Sequence, residues 1–206
     1  MVFIGDDKQL APYGSDDIQQ LQSVFEFPHL RKRASFLNTQ YRMPVVVGDF
    51  ISRHVYGNQL KTVHNNNSNT ACRFLDVKKG QEKKSGHSWV NESEIIVIAH
   101  LAGLYYKQGK QYRVVTPASL GRQVLQRNEE DYIIVSLVRS QGVGFLKNVR
   151  RTNVMLTRCK KSMIICTSRQ FVTAGKAANT LVGMLAAVMG PEGWLDSRDI
   201  ARGVLP

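Results

Sequence analysis

An α/β fold with a mainly parallel sheet flanked by helices is what this sequence predicts, on three observations. Short β-branched runs recur along the chain, and each is followed by a polar or helical stretch. The runs are nearly continuous in apolar residues, as strands buried on both faces are. The 206 residues, 43% of them hydrophobic, supply enough core for one α/β domain, or one domain with extensions.

The first predicted strand is "VFIG" (2–5), which ends in the turn "DDKQ". A helix follows over "SDDIQQLQSVFEF" (15–27), with Ser15 as N-cap and Ile18, Leu21, Val24 and Phe25 on one face. "PVVVGDFISRHVY" (44–56) opens with proline at the first helical position, where its missing N–H costs nothing. "CRFLDV" (72–77) is the second strand. "NESEIIVIAHLAGLYYKQG" (91–109) is a helix with Asn91 and Glu94 in capping-box spacing and a stop near Gly109. The remaining strands are "YRVVTP" (112–117), "DYIIVSLV" (131–138) and "SMIICTS" (162–168), and a last helix runs over 171–189. The tracts "HNNNSNT" (64–70) and "KKGQEKKSG" (78–86) read as exposed loops, and the tail after Gly190 as weakly ordered. A chain that starts inside an apparent core strand is expected to be part of a larger sheet or a larger protein.

Composition narrows the function classes. Lys and Arg number 28 against 16 Asp and Glu, a formal net charge of +12, which favours polyanion partners and nucleic acid first. No window approaches the ~20 apolar residues of a membrane span, and "MVFIGDDKQL" turns acidic too early for a secretory signal. Three cysteines without CxxC spacing fit a reducing compartment, not a disulfide framework or a zinc site. Five scattered histidines imply no metal. Cytoplasm and nucleus both remain open.

The candidate chemistry lies in four stretches. "GDDKQ" places Asp6 and Gln9 after the first strand, at the carboxyl end where parallel sheets bind ligands. "FLNTQYRMPVVVGDF" puts Arg42 at a helix entrance, aimed at something anionic. In "RRTNVMLTRCK" a seven-residue interval sets Arg151 and Arg158 near one helical face, where two guanidinium groups repel unless an anion lies between them. "RNEEDYIIVS" carries Glu129, Glu130 and Asp131, which in isolation read as edge protection.

Taken together, "GDDKQLAP", "LNTQYRMP", "VVTP", "NEEDYIIVSLVRS" and "GFLKNVRRTNVMLTRCK" resemble, in the same order, superfamily 1 helicases of the nonsense-decay type. The resemblance covers about residues 2 to 170. It implies the second lobe of a RecA-like P-loop NTPase fold over residues 36–173, preceded by the end of a first lobe and its connection (1–35). A C-terminal helix and tail (174–206) follow. It further implies that Gln9 couples the γ-phosphate to the nucleic-acid site and that Arg42 and Arg158 are arginine fingers across the interlobe cleft. Asp6, Tyr41 and Glu129 would lie beside the nucleotide, and Thr116 and Pro117 near the nucleic-acid strand. ATP with Mg²⁺ is the implied cofactor, given a complete first lobe, separate or upstream. Single-stranded RNA or DNA is the implied partner.

Three departures bear on activity. No GxxxxGK[ST] phosphate loop occurs in the 206 residues, and the acidic pair that holds Mg²⁺ would lie upstream of Met1. The family's "TPY" reads "TPA" here, with Ala118 in place of the aromatic ring. Only thirteen residues separate Pro117 from Asp131, where the family fits a helix, a strand and a turn, and Arg127 stands where a glycine is expected. The chain alone is therefore expected not to hydrolyse ATP. The competing readings are a non-catalytic nucleic-acid-binding or regulatory module, or a truncated product, descended from such a lobe.

Overall fold

The computed structural model describes residues 2–10, 22–116 and 129–203. In chain order its elements are helix α1 (Pro28–Arg31), strand β1 (Thr39–Gln40), α2 (Val45–Val55), β2 (Lys61–Thr62), β3 (Cys72–Asp76), β4 (Lys83–Ser85), β5 (Ser88–Val90), α3 (Glu92–Lys107), β6 (Tyr112–Val115), β7 (Glu130–Ser136), α4 (Val149–Leu156), β8 (Cys159–Thr167), α5 (Arg169–Thr173), α6 (Leu181–Met189), β9 (Trp194–Asp196) and α7 (Ser197–Ala201). Five strands form one sheet in the order β6-β7-β8-β3-β9, every neighbouring pair parallel. The predicted α/β class with a mainly parallel sheet is the observed one.

Each face of that sheet has its own core. Phe74, Ile133, Val135, Met163 and Ile165 pack with α2, α4 and α6 on one side. Leu75, Ile134, Ile164 and Cys166 pack with α3 and α7 on the other. Alternate residues of one apolar run thus serve opposite cores, which is why the strands read as continuous rather than alternating.

Several expectations are corrected. Residues 2–5 form no strand: Val2 and Ile4 are 86% and 85% exposed, because an apolar run becomes a strand only beside a neighbour that takes its backbone hydrogen bonds. Of the predicted helix 15–27, Ser15, Ile18 and Leu21 lie outside the described residues, and Val24–Glu26 is a 3₁₀ turn capped by Ser23. The predicted last helix breaks into α5, a 3₁₀ turn at Gly175–Ala177 and α6, which restarts where the Thr180 side chain accepts the Gly183 N–H. The stretch after Gly190 is not a loose tail. Gly190 adopts a positive φ of 63°, a 3₁₀ turn follows, and β9 then joins the sheet with Trp194 4.9 Å from Phe74, ring to ring. The lysine-rich tract 78–86 builds the β4–β5 hairpin. Among the described residues no helix is long and apolar enough to cross a membrane.

Candidate nucleotide and nucleic-acid site

The site builds from the amino ends of β7 and β8. Glu129 immediately precedes β7 and Arg158 immediately precedes β8, so parallel pairing of the two strands sets both side chains at the same end. Arg42 reaches that end from the other direction. The Gln40 side chain accepts the backbone N–H groups of Arg42 (2.9 Å) and Met43 (2.8 Å), turning the chain sharply into α2. The Arg42 guanidinium then lies 2.5 Å from one Glu129 carboxylate oxygen and donates to the Thr157 carbonyl at 3.4 Å. The other Glu129 oxygen lies 3.6 Å from Lys160 Nζ. Tyr41 stands at the rim with 69% of its surface exposed.

Arg158 differs from the expected arrangement. Helix α4 ends at Leu156, so Arg151 and Arg158 do not share a helical face; Arg158 lies beyond the C-cap. It is 3% exposed, and its guanidinium donates to the Val154 carbonyl (2.8 Å) and the Thr157 hydroxyl (3.1 Å). Burial depresses its pKa, the positive Arg42 depresses it further, and Glu129 opposes both. A guanidinium stays charged throughout the physiological range. Arg42 and Lys160 pair with Glu129, whose charge also acts on Arg158, so three cations gather around this carboxylate and the cluster is electropositive.

Asp6 and Gln9 join the same region through α2 and α4. Asp6 closes its own turn, accepting the Lys8 N–H (2.9 Å) and the Gln9 side-chain amide (2.8 Å), and it also accepts the Tyr56 hydroxyl (2.5 Å). Asn153 of α4 donates to the Lys8 carbonyl (2.9 Å) and to the Tyr56 oxygen (3.2 Å). Burial first, then the Asp6 contact, pushes the Tyr56 hydroxyl well above the usual phenol range. Tyr56 ties this turn to α4 by direct contacts, donating to Asp6 and accepting from Asn153. Sequence patterning missed Tyr56 and Asn153. Neither has a local signal, because their role exists only where three distant segments meet. The Asn153 side-chain oxygen is buried with no partner among the described residues.

Thr116 sits elsewhere. It follows β6 at the carboxyl ends of the strands, on the wall of a cavity of about 300 Å³ with Trp89, Ser136, Val138 and Arg139. Pro117 and Ala118 lie outside the described residues. Strand β7 spans seven residues, so Thr116 and the arginine cluster are separated by roughly 20 Å along the sheet at ~3.3 Å per residue. The arginine cluster thus occupies the amino ends of the strands, and the expectation that the chemistry gathers at the carboxyl ends is corrected. Parallel pairing of β7 and β8 sets the residues that precede both strands at this amino edge.

Among the described residues no group of three or more His, Cys, Asp or Glu side chains is arranged to hold a metal ion. What the residues fit is the anionic part of a nucleotide: a partly exposed Arg42 and a Lys160 whose present partner, Glu129, a phosphate oxygen could replace.

Comparison with known proteins bears on this arrangement. The family model of an AAA domain (AAA_12) matches in two stretches, residues 19–127 and 123–170, which meet within the shortened interval. An uncharacterized ATP-dependent helicase of Methanocaldococcus jannaschii is 24% identical over 88% of this chain and 34% of its own length. The Arabidopsis thaliana homolog of regulator of nonsense transcripts 1 is 30% identical over 80% of this chain and 17% of its own. The ATP-dependent helicase NAM7 of Saccharomyces cerevisiae is 28% identical over 80% of this chain and 22% of its own. The chain therefore spans at most about a third of the length of these relatives. The alignment with the archaeal relative runs over 227 positions, more than this chain contains, so that relative carries positions with no counterpart here. With a RecA-like sheet, the motif order and this match in hand, the chain belongs to the AAA domain family and is a helicase domain of the nonsense-decay type.

Proposed function

We propose that this chain is the C-terminal lobe of an ATP-dependent RNA or DNA helicase, supplying arginine fingers to an ATP site that another lobe completes. The observation that carries the reading is the convergence of Arg42, Arg158 and Glu129, with the Asp6–Gln9 turn tied through Tyr56 and Asn153 to α4, the helix that precedes Arg158. In phosphoryl transfer, charge spreads over the γ-phosphate oxygens, and guanidinium groups fixed in place stabilise it. Arg42 is held by Glu129 in the resting site, and an incoming γ-phosphate competes for it. Arg158 is already fixed by the carbonyl and hydroxyl it touches, so little ordering is needed when charge develops. Gln9, in a turn tied to α2 and α4, couples the phosphate to the strand-binding edge. Tyr41 and Glu129 contact the base and ribose side, and Asp6 holds the Gln9 turn. ATP is bound with Mg²⁺, which supplies charge neutralisation when a first lobe provides its carboxylates.

In this reading residues 1–35 are the end of the first lobe and its connection, residues 36–173 the second lobe, and 174–206 its C-terminal extension. Thr116, at the carboxyl ends of the strands, faces single-stranded nucleic acid, and Pro117 is assigned to the same contact by the motif alone. Because the sequence contains no phosphate loop, the isolated chain does not turn over ATP.

In a reconstituted two-lobe protein, Arg42→Ala is expected to abolish ATP turnover, a loss of about 10³-fold or more by analogy with arginine fingers, and to leave RNA binding within about twofold. Equal loss of both activities defeats the finger assignment. ATP hydrolysis by the isolated chain, with saturating single-stranded RNA, defeats the claim that a second lobe is required.

A further inference from the structure

Arg73 is a charged residue in an interior strand. It lies on β3, between β8 and β9, with its Cα in register with Ile164, on the face that carries Leu75 and Tyr105. Its Nε is buried with no hydrogen-bond partner among the described residues. None of the ion pairs among those residues involves Arg73. Lys110, just past the end of α3, is likewise in no ion pair and sits 4.7 Å from the ring centres of both Tyr105 and Tyr132.

These residues line one open cavity of about 950 Å³ at the amino ends of the strands, together with Lys160 and Lys161. The acids nearest its rim are already engaged: Asp131 with Lys161 at 2.6 Å and Glu129 with Lys160 at 3.6 Å. A half-buried guanidinium whose Nε has no partner, and which forms no ion pair among the described residues, is costly, and the cost is relieved when an anion binds. Rings and cations around a cavity of this size fit a ligand with both a phosphate and an aromatic or sugar part.

We propose that this cavity is a further anion site adjoining the arginine cluster, with which it shares Lys160 and Tyr41 at the rim, and that in it Arg73 and Lys110 bind the phosphate of a nucleotide unit. The unit is either a free mononucleotide or one residue of a single strand, and phosphate recognition is common to both. Arg73 and Lys110 themselves lie outside the arginine cluster, so substituting them tests this site separately from the arginine-finger reading.

The test is calorimetric titration of the 206-residue chain with inorganic phosphate, ADP and a 5′-phosphorylated RNA decamer. At least one is expected to bind saturably, and Arg73→Met and Lys110→Gln are each expected to weaken that binding about tenfold or more. Dependence on both residues for ADP identifies a free nucleotide; dependence for the decamer alone identifies a strand. A second readout is thermal unfolding. Without ligand, Arg73→Met is expected to match or exceed the wild-type melting temperature, and the effective ligand should raise the wild type only. Binding of all three probes unaltered by both substitutions overturns the proposal, as does the absence of saturable binding. Lys110, partly exposed past the helix end, keeps the test decisive if Arg73→Met does not fold.

Discussion

Glu94 is fully buried, and its carboxylate accepts hydrogen bonds from the Ser136 hydroxyl (2.5 Å), the Val138 N–H (2.8 Å) and the Asn91 side-chain amide (3.3 Å). It was expected to close a capping box on Asn91. Instead it reaches across to β7 and pins Val138, a β-branched residue held at a positive φ of 62°. Burial raises its pKa to about 7, against the pull of the Ser136 and Val138 bonds. The folded state therefore binds this proton more tightly than the unfolded chain does. The stability it contributes is complete below the ordinary carboxylate range and is lost as pH rises through about 7. Glu94→Gln is thus expected to gain on the wild type by about 2 kcal/mol between pH ~5 and pH ~8, read from urea unfolding at both pH values. Parallel stabilities would contradict it. Cys72, Cys159 and Cys166 are free and buried, and burial pushes the Cys159 thiol up to about 12 and the other two well above the usual thiol range. Since the thiolate is the nucleophile, iodoacetamide at pH ~8 should leave the native chain unlabelled and modify all three cysteines after unfolding. Mass spectrometry separates the cases, and rapid native labelling would refute the packing.

At the scale of elements, the C-terminal third matters more than its composition indicates. Helix α6 lies so close to the preceding turn that a Cβ on Gly183 would meet the Ala177 and Ala178 carbonyl oxygens at 2.3 and 2.5 Å. Backbone cannot yield as a side chain can, so Gly183→Ala is expected to destabilise by about 2 kcal/mol, visible as a fall in the thermal midpoint. No change would mean that α6 can slide. Strands β3, β6, β7 and β8 were legible because each is an apolar run long enough to show its character. Strand β9 was not, because three residues carry no period and "WLD" becomes a strand only beside Phe74 and Leu75. Residues 2–5 mislead in the opposite way: the pattern is right, but no neighbour within the described residues pairs with them. The arginine site shows the same division. Arg42, Glu129 and Arg158 could be singled out by residue type and order, but Arg158 sits outside the helix assumed for it, and Lys160 entered only through its contact with Glu129.

For the whole molecule, the two candidate edges lie at opposite ends of one parallel sheet, with cations at the amino end and Thr116 at the carboxyl end. Strand β7 is a stiff, doubly buried link between them. The net charge of +12 leads us to expect that affinity for single-stranded RNA falls steeply with salt, by a log–log slope of about −0.7 per phosphate contacted. Filter binding from low to physiological salt measures it, and a flat response would refute electrostatic binding. The sequence by itself determined the α/β class, four of the five strands of the main sheet, helices α2 and α3 and the basic character, and it singled out the arginines as candidates, because apolar periodicity, charge and motif order are local properties of the chain. Only the tertiary structure decided which end of the strands carries the cations. It alone placed Arg42 against a carbonyl 115 residues away and left the Arg73 Nε buried with no hydrogen-bond partner among the described residues. Those facts depend on strand order and on which segments pack together, and such long-range pairings leave no trace in any local window.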